Sequence, residues 1–171
     1  MTSTPDVVTA ARQGESDALA ALYREHGQAV YRLAYRLTGT REDAEDVVHD
    51  VFVGLPEALR RYEERGRLDS WLKRMTARVA LMRIRQRGRR REVSLIAAAD
   101  QSPSPVSADG ADLQEAVDAL PDPLRAVLVL KEIEGYSHAE VADLLGISEG
   151  ASRVRLVRAL RHLRRLLGEE R

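Results

Sequence analysis

Residues 136–167, YSHAEVADLLGISEGASRVRLVRALRHLRRLL, decide the fold of the C-terminal part of this chain. Ser137 and Glu140 have the spacing of a capping box, which predicts the start of a short helix. Gly146 stands where a tight turn needs a positive φ, and Ser148 is placed to cap a longer helix. A short helix, a tight turn and a longer basic helix describe a helix-turn-helix.

The second predicted helix of this motif, residues 149–167, carries six arginines and a single acid, Glu149. Apolar residues at helical spacing predict that one of its faces packs against the rest of the domain, through Leu156, Leu160, Leu163 and Leu167. Small residues at its N-terminus, Gly150, Ala151 and Ser152, permit close approach to DNA, where a recognition helix places its base-contacting groups. The alternative is a generic helical hairpin with a solvated basic face.

Composition excludes several classes of protein. The chain has 171 residues, 44% of them hydrophobic and only 4% aromatic, and it contains no cysteine. The lack of cysteine excludes disulfide scaffolds, thiol nucleophiles and thiolate zinc sites. The N-terminus lacks the charged start and apolar run of a secretory signal, which predicts a cytoplasmic protein. β-Branched residues never form alternating runs, so the sequence predicts an all-α fold.

Helical patterns divide the chain into two small domains. The first domain is predicted to span residues 15–91, after an N-terminal tail at 1–14. Its first helix runs to residue 38, and its second begins after Thr40, which with Asp43 resembles a capping box. Residues 92–111 are rich in proline and serine and predict a flexible linker. The second domain, residues 112–171, ends with the helix-turn-helix.

The second helix of the first domain has a predicted buried stripe and an acidic opposite face. The stripe consists of Ala44, Val47, Val48, Val51, Phe52, Leu55 and Leu59. Residues 42–57 contain six acids and no Lys or Arg. Such a run is usually a solvated face, and a positively charged partner is the other interpretation.

The charge then reverses, which explains how a chain with 27 basic and 27 acidic residues has no net charge. Residues 65–91 contain eleven basic residues and one acid, ending in a charged segment at 85–91 that is predicted to fray. Four of the arginines share a helical stripe: Arg74, Arg78, Arg85 and Arg89. Arginines beside Tyr62 and Trp71 are typical of single-stranded DNA binding, whereas a lone tryptophan at helical spacing is more often a core residue.

No arrangement of residues predicts catalysis. The four histidines lie far apart without metal-ligand spacing: His26, His49, His138 and His162. Phosphate-binding loops and nucleophile elbows are absent from the sequence. We therefore expect neither an enzyme nor a metal or cofactor site.

The order of these segments resembles the sigma-70 superfamily, and within it the two-domain extracytoplasmic-function (ECF, group IV) sigma factors of bacteria. DAEDVVHDVF at 43–52 resembles region 2.2 of that family. DSWLKRMTARVALMRIRQRGRR, which begins at Asp69, resembles regions 2.3–2.4. The segment from Leu120 to Leu167 resembles region 4. The match covers most of residues 15–167.

The resemblance implies an RNA polymerase sigma factor and a role for each region. Core polymerase binding is implied for Asp43, Asp46, Val47, His49 and Asp50. Recognition of the −10 element is implied for Tyr62, Arg67, Leu68, Asp69, Trp71, Arg74 and Arg78. Recognition of the −35 element is implied for Ser148, Glu149, Ala151, Ser152, Arg153, Arg155 and Arg158. The implied partners are promoter DNA, the β′ coiled coil and β flap of core polymerase, and an anti-sigma factor.

Some positions depart from the family pattern. Gly54 and Pro56 lie inside a predicted helix, and a proline in a helix interior removes a hydrogen bond and usually kinks the helix. Arg78 and Met82 replace residue types that are common in the family, which puts the −10 preference in doubt. The alternative functions are a one-component regulator that binds duplex DNA without polymerase, and a helical adaptor that binds only proteins.

Overall fold

The computed structural model describes residues 5–95 and 113–168, and within these ranges all regular secondary structure is helical. The chain forms two compact units, Met1–Arg83 and Ile84–Arg171. These observations confirm the predicted all-α fold with two small domains.

The first unit contains α1 (Pro5–Arg12), α2 (Ser16–Thr38), α3 (Arg41–Leu59) and the first part of α4 (Leu68–Leu95). α2 ends at Gly39, whose φ is 77°, and Thr40 caps α3 by accepting a hydrogen bond from the Asp43 amide at 3.2 Å. The sequence predicted both boundaries. Leu22, Leu33 and Leu37 of α2 are among the largest fully buried side chains.

α3 buries a narrower stripe than the sequence predicted. Its buried residues are Ala44, Val47, Val51, Leu55 and Leu59. Val48 and Phe52, which the periodicity also assigned to the core, are only half-buried. The buried residues lie three or four positions apart and form one stripe along the helix. Val48 and Phe52 therefore lie at the edge of that stripe.

Pro56 does not end α3, which continues to Leu59 as the predicted apolar stripe requires. Two features of the first domain differ from the sequence prediction. α1 lies inside the predicted tail, because Val8 and Ala11 give it a face that is buried. α4 extends to Leu95, so the charged segment at 85–91 is helical, as the high helix propensity of arginine allows. The rest of the predicted linker lies outside the described residues.

The second unit contains α5 (Leu113–Asp118), α6 (Asp122–Leu128), a π-helical turn (Val129–Ile133), α7 (His138–Leu145) and α8 (Glu149–Leu166). The Ser137 hydroxyl accepts from the Glu140 amide and the Glu140 carboxylate accepts from the Ser137 amide, which completes the predicted capping box. Gly146 has a φ of 66°, and the Ser148 hydroxyl accepts from the Ala151 amide at 3.0 Å. The predicted helix-turn-helix is therefore confirmed.

A buried arginine holds the N-terminal part of this unit together. Arg125 is 3% exposed, and its guanidinium donates to the carbonyl oxygens of Asp118 and Leu120 and to the Asp122 carboxylate. Burial lowers the pKa of Arg125, and the charge of Asp122 opposes that shift. Arg125 thus satisfies the carbonyls that follow α5 at the point where α6 begins.

One ion-pair cluster joins α3 and α4 in the first unit. The Arg83 guanidinium donates to the Asp43 carboxylate at 3.2 Å and also to the Asp46 carboxylate. The Arg83 and Asp43 side chains are 30% and 19% exposed and that of Asp46 is 47% exposed, so solvent screens the Arg83–Asp43 pair only in part and the Arg83–Asp46 pair more strongly. We call these three residues the Arg83 cluster.

Replacement of Arg83 by methionine is expected to lower the free energy of unfolding of the first unit by about 1–2 kcal/mol, because two partly buried carboxylates lose their cation. Urea denaturation followed by Trp71 fluorescence measures this, since Trp71 is the single tryptophan of the chain. Arg78→Met, at an exposed position of the same helix, is the control and should change stability by less than about 0.5 kcal/mol. Equal losses in the two variants would contradict the assignment.

Candidate nucleic-acid and protein interfaces

The five residues of α3 that are implied in polymerase binding differ in their exposure. Asp43 and Asp46 belong to the Arg83 cluster and face α4. His49 and Asp50 lie one turn further on, with side chains 75% and 55% exposed. Val47 has no exposed surface at all, since it is part of the core stripe. Of the five residues implied in polymerase binding, His49 and Asp50 present the most open surface, and Asp46, whose side chain is 47% exposed, is in addition paired with Arg83.

An open groove of about 1000 Å³ runs between α2 and α3 beside these residues. Its walls include the rings of Tyr23 and Phe52, whose centroids lie 5.1 Å apart in an edge-to-face arrangement. Val53 is 67% exposed at the rim, and His49 also lines the groove. We call this the α2–α3 groove.

The sequence analysis did not identify this groove, although α3 carries a signal for it. Residues 47–53 contain more apolar side chains than a helix with one buried face needs. The excess, at Val48, Phe52 and Val53, lines the groove. Only the packing of α2 against α3 separates these residues from the core stripe.

The residues implied in −10 recognition surround the loop between α3 and α4. Tyr62 and Leu68 are 7% and 8% exposed, so both are buried at the two ends of this loop. Arg67 and Asp69 between and beside them are exposed. The structure therefore brings this set together, with an apolar base and a polar rim.

Trp71 lies on this base and is half-buried. Its ring packs against that of Tyr62, with centroids 5.0 Å apart and an interplanar angle of 51°. Burial raises the pKa of Tyr62, and the nearby charge of Glu64 adds to the rise. Trp71 thus packs on a core residue and keeps some exposed surface, and its stacking on DNA bases stays a prediction.

Two arginines continue this surface along α4. Arg78 is exposed and Arg74 is half-buried, and they stand one helical turn apart on the same unit as Trp71. Arg85 and Arg89, which share the predicted stripe, belong to the second unit. Within the first unit, the basic surface of α4 thus adjoins the Tyr62–Trp71 pair.

α8 presents a basic face that is clearly separated from its packed face. The exposed side chains include Arg153, Arg158, Arg161, Arg164 and Arg165. The fully buried residues are Ser152 and Ala159, and the four leucines predicted to pack are half-buried. Arg155 is half-buried beside this seam. Arginine is therefore concentrated on the exposed face of α8.

The N-terminus of α8 places each implied −35 residue differently. Ser148 serves as the cap, and exposed Glu149 accepts a hydrogen bond from Arg153 at 3.3 Å. Ala151 is half-buried. Ser152 is 0% exposed, and its hydroxyl lies 2.8 Å from Nδ1 of His138 on α7. Ser152 therefore joins the two helices of the motif and is not available to a base.

Two exposed residues of α8 were missed by the sequence analysis. Val154 and Val157 are 50% and 55% exposed among the arginines. The sequence could have indicated their exposure, because both valines lie outside the helical spacing of the leucines that form the predicted packed face. Apolar side chains in the major groove contact the methyl group of thymine.

Across residues 5–95 and 113–168, no group of three or more histidines, aspartates or glutamates is arranged to hold a metal ion. In the same ranges no helix is long and apolar enough to cross a membrane.

Comparison with known proteins assigns a family to both units. The family model for Sigma-70 region 2 matches residues 22–90, and that for Sigma-70 region 4 matches residues 110–163. The RNA polymerase sigma factor CarQ of Myxococcus xanthus is 32% identical over 166 residues, which cover 92% of this chain and 94% of CarQ. The ECF RNA polymerase sigma factor SigL of Mycobacterium tuberculosis is 34% identical, with 95% and 96% covered.

A longer relative and solved structures agree with this assignment. The ECF RNA polymerase sigma factor SigE of Mycolicibacterium smegmatis is 39% identical over 86% of this chain, which spans 61% of the length of SigE. The fold is similar to that of CnrH in complex with the cytosolic domain of CnrY, with a TM-score of 0.56, 26% identity and 99% of each chain covered. It is also similar to that of the sigma factor RpoE in complex with the anti-sigma factor NepR from Bartonella quintana, with a TM-score of 0.62, 24% identity, and 88% and 99% covered. This chain belongs to the sigma-70 family and is an ECF-type RNA polymerase sigma factor.

Proposed function

We propose that this chain binds core RNA polymerase through its first unit and directs transcription initiation by reading −10 and −35 promoter elements. One observation carries the proposal. Two successive regions of a single sigma factor family match the two units, and each unit combines an exposed arginine surface with a defined helical frame. The domain limits 15–91 and 112–171 remain our proposal for the functional division.

The polymerase contact is proposed to lie on α3 and in the α2–α3 groove. His49 and Asp50 supply the exposed polar part, and the Tyr23–Phe52 pair supplies the apolar part. A groove between two helices suits an amphipathic helix as a partner. The β′ coiled coil, which the family resemblance implies, is a partner of that shape. Asp43 and Asp46 support the surface through the Arg83 cluster, and Val47 supports it from the core.

The −10 element is proposed to bind at the α3–α4 loop. Arg67, Arg74 and Arg78 neutralise phosphates, and the solvent-facing part of Trp71 stacks on an unpaired base, as in other single-strand sites. Tyr62 and Leu68, being buried, support Trp71 and the loop. Asp69 at the start of α4 adds a hydrogen-bond acceptor at the rim.

The −35 element is proposed to bind α8 in the major groove. An exposed ion pair such as Glu149–Arg153 contributes little to stability. Both side chains can therefore leave the pair and bind base edges at a small cost in folding free energy. Arginine pairs with guanine and a carboxylate accepts from cytosine. Arg158 and the half-buried Arg155 lie further along the helix, closer to phosphates. Ser148 and Ala151 allow the close approach of the helix N-terminus.

The remaining partners follow from the family resemblance. We propose that the second unit contacts the β flap and that an anti-sigma factor binds the free chain. RpoE of Bartonella quintana is one relative solved with an anti-sigma factor. A chain that works on core polymerase and promoters acts in the cytoplasm and is not itself an enzyme.

Run-off transcription tests the proposal as a whole. Purified core polymerase is assayed on a pool of genomic promoters with and without the chain. Promoter-specific transcripts that depend on the chain support a sigma factor. Tight binding to duplex promoters without polymerase, together with no added transcripts, would indicate a one-component regulator. Protein binding with neither activity would indicate an adaptor.

Asp50→Arg is expected to weaken binding to core polymerase about tenfold or more, because it reverses an exposed charge within the proposed contact. Asp46 is unsuitable for this test, since its reversal would also disturb the Arg83 cluster. Asp17→Arg makes the same charge change at an exposed position of α2 outside the groove and should leave binding unchanged. Co-purification with core polymerase measures both, and equal affinity of the two variants would refute the proposed contact.

Arg153→Ala is expected to reduce discrimination between the −35 element and scrambled DNA by about 1–3 kcal/mol, the contribution of a good base contact. Arg161→Ala removes an exposed arginine about two turns further along α8 and should weaken binding to both DNAs alike. Holoenzyme binding to duplexes that differ only in the −35 element measures the difference. A uniform loss in Arg153→Ala would assign this residue to a phosphate instead.

A further inference from the structure

The N-terminal helix α1 places the guanidinium of Arg12 at the C-terminal end of α3. Val8 and Ala11 are 2% and 0% exposed, so α1 is packed firmly into the first unit. Its last residue is Arg12, whose Nε donates to the Leu59 carbonyl at 2.9 Å. An Nη nitrogen of the same guanidinium donates to the Tyr62 carbonyl at 3.2 Å. One side chain thus connects two points that lie three residues apart.

Arg12 reinforces the C-terminal end of α3, where the backbone closes only a short turn. The Tyr62 amide donates to the Leu59 carbonyl at 3.2 Å, so Arg12 adds a second donor to that oxygen. The cap, Arg60, has a φ of −61°, so α3 ends without the left-handed glycine that is common at helix C-termini. The last turn of α3 contains no basic residue, and the guanidinium of Arg12 brings a positive charge to this end of the helix dipole from a different helix.

Tyr62 connects this contact to the proposed −10 site. Its carbonyl binds Arg12 while its ring packs on Trp71 at 5.0 Å. The loop continues through Glu64, whose carboxylate accepts from the Gly66 amide at 3.3 Å, and reaches Arg67, whose carbonyl accepts from the Trp71 amide. The backbone of the loop is therefore anchored at its first residues by Arg12 and at its end by α4.

We propose that Arg12 is a positioning residue for −10 recognition. Through Arg12, α1 takes part in forming the proposed −10 site. This inference rests on the proposed function. A guanidinium fork on two carbonyls holds Tyr62, and through its ring Trp71, in the geometry that meets the unpaired strand. Without Arg12, the start of the loop samples more conformations. Ordering these conformations then costs entropy when DNA binds, which lowers the affinity for DNA.

The test uses the full chain assembled with core polymerase and compares three variants. Arg12→Met keeps the aliphatic stem and removes the donors, whereas Arg12→Lys keeps the charge but loses the planar fork. Arg32→Met, at an exposed position of α2 outside the groove, is the matched control. The measurements are the affinity for core polymerase and the formation of open complexes on a duplex promoter.

Arg12→Met is expected to reduce open-complex formation about tenfold, the effect of losing charge-assisted hydrogen bonds. Its affinity for core polymerase should stay within about twofold of wild type, because the α2–α3 groove is unchanged. Arg12→Lys should be intermediate and Arg32→Met should behave as wild type. Unchanged open complexes in Arg12→Met, or a parallel loss of core affinity, would overturn the inference. A wild-type chain that directs no transcription would refute the proposed function instead.

Discussion

The Arg83 cluster joins two helices of opposite charge, and the surfaces of the first unit depend on that junction. α3 is acidic and α4 is basic, so each helix alone would repel itself along its length. Arg83 neutralises Asp43 and Asp46 where the helices meet, and His49 and Asp50 remain exposed beyond the contact. The first unit therefore has an acidic surface on α3 and a basic surface on α4.

This separation of charge explains how a chain with no net charge can bind nucleic acid. A DNA-binding domain usually has an excess of basic residues as a whole. Here the excess is local, on the α4 segment of the first unit and on the exposed face of α8 in the second. Because acidic surfaces repel DNA, we expect the acidic residues of α3 to weaken nonspecific binding.

Several residues in the proposed sites are buried, and they contact neighbouring side chains of this chain. Ser152 joins α7 to α8 through His138, Tyr62 supports Trp71, and Val47 packs beneath the acidic surface. A family motif contains buried supporting residues as well as residues that touch the ligand, because both kinds are needed for the same function. Burial in the structure distinguishes the two kinds. The proposed −35, −10 and polymerase sites each keep an exposed or half-buried member, namely Arg153, Trp71 and Asp50.

The sequence by itself determined the all-α class, the two-domain division, the helix-turn-helix and the family. These features rest on local physics: caps at Thr40, Ser137 and Ser148, a left-handed glycine at Gly146, and apolar periodicity along single helices. Only the tertiary structure decided the role of α1, the Arg83 cluster and the α2–α3 groove. Arg12 and Leu59 are 47 residues apart in the chain. No local sequence pattern encodes which distant carbonyl a guanidinium will contact. That choice is made when the helices pack.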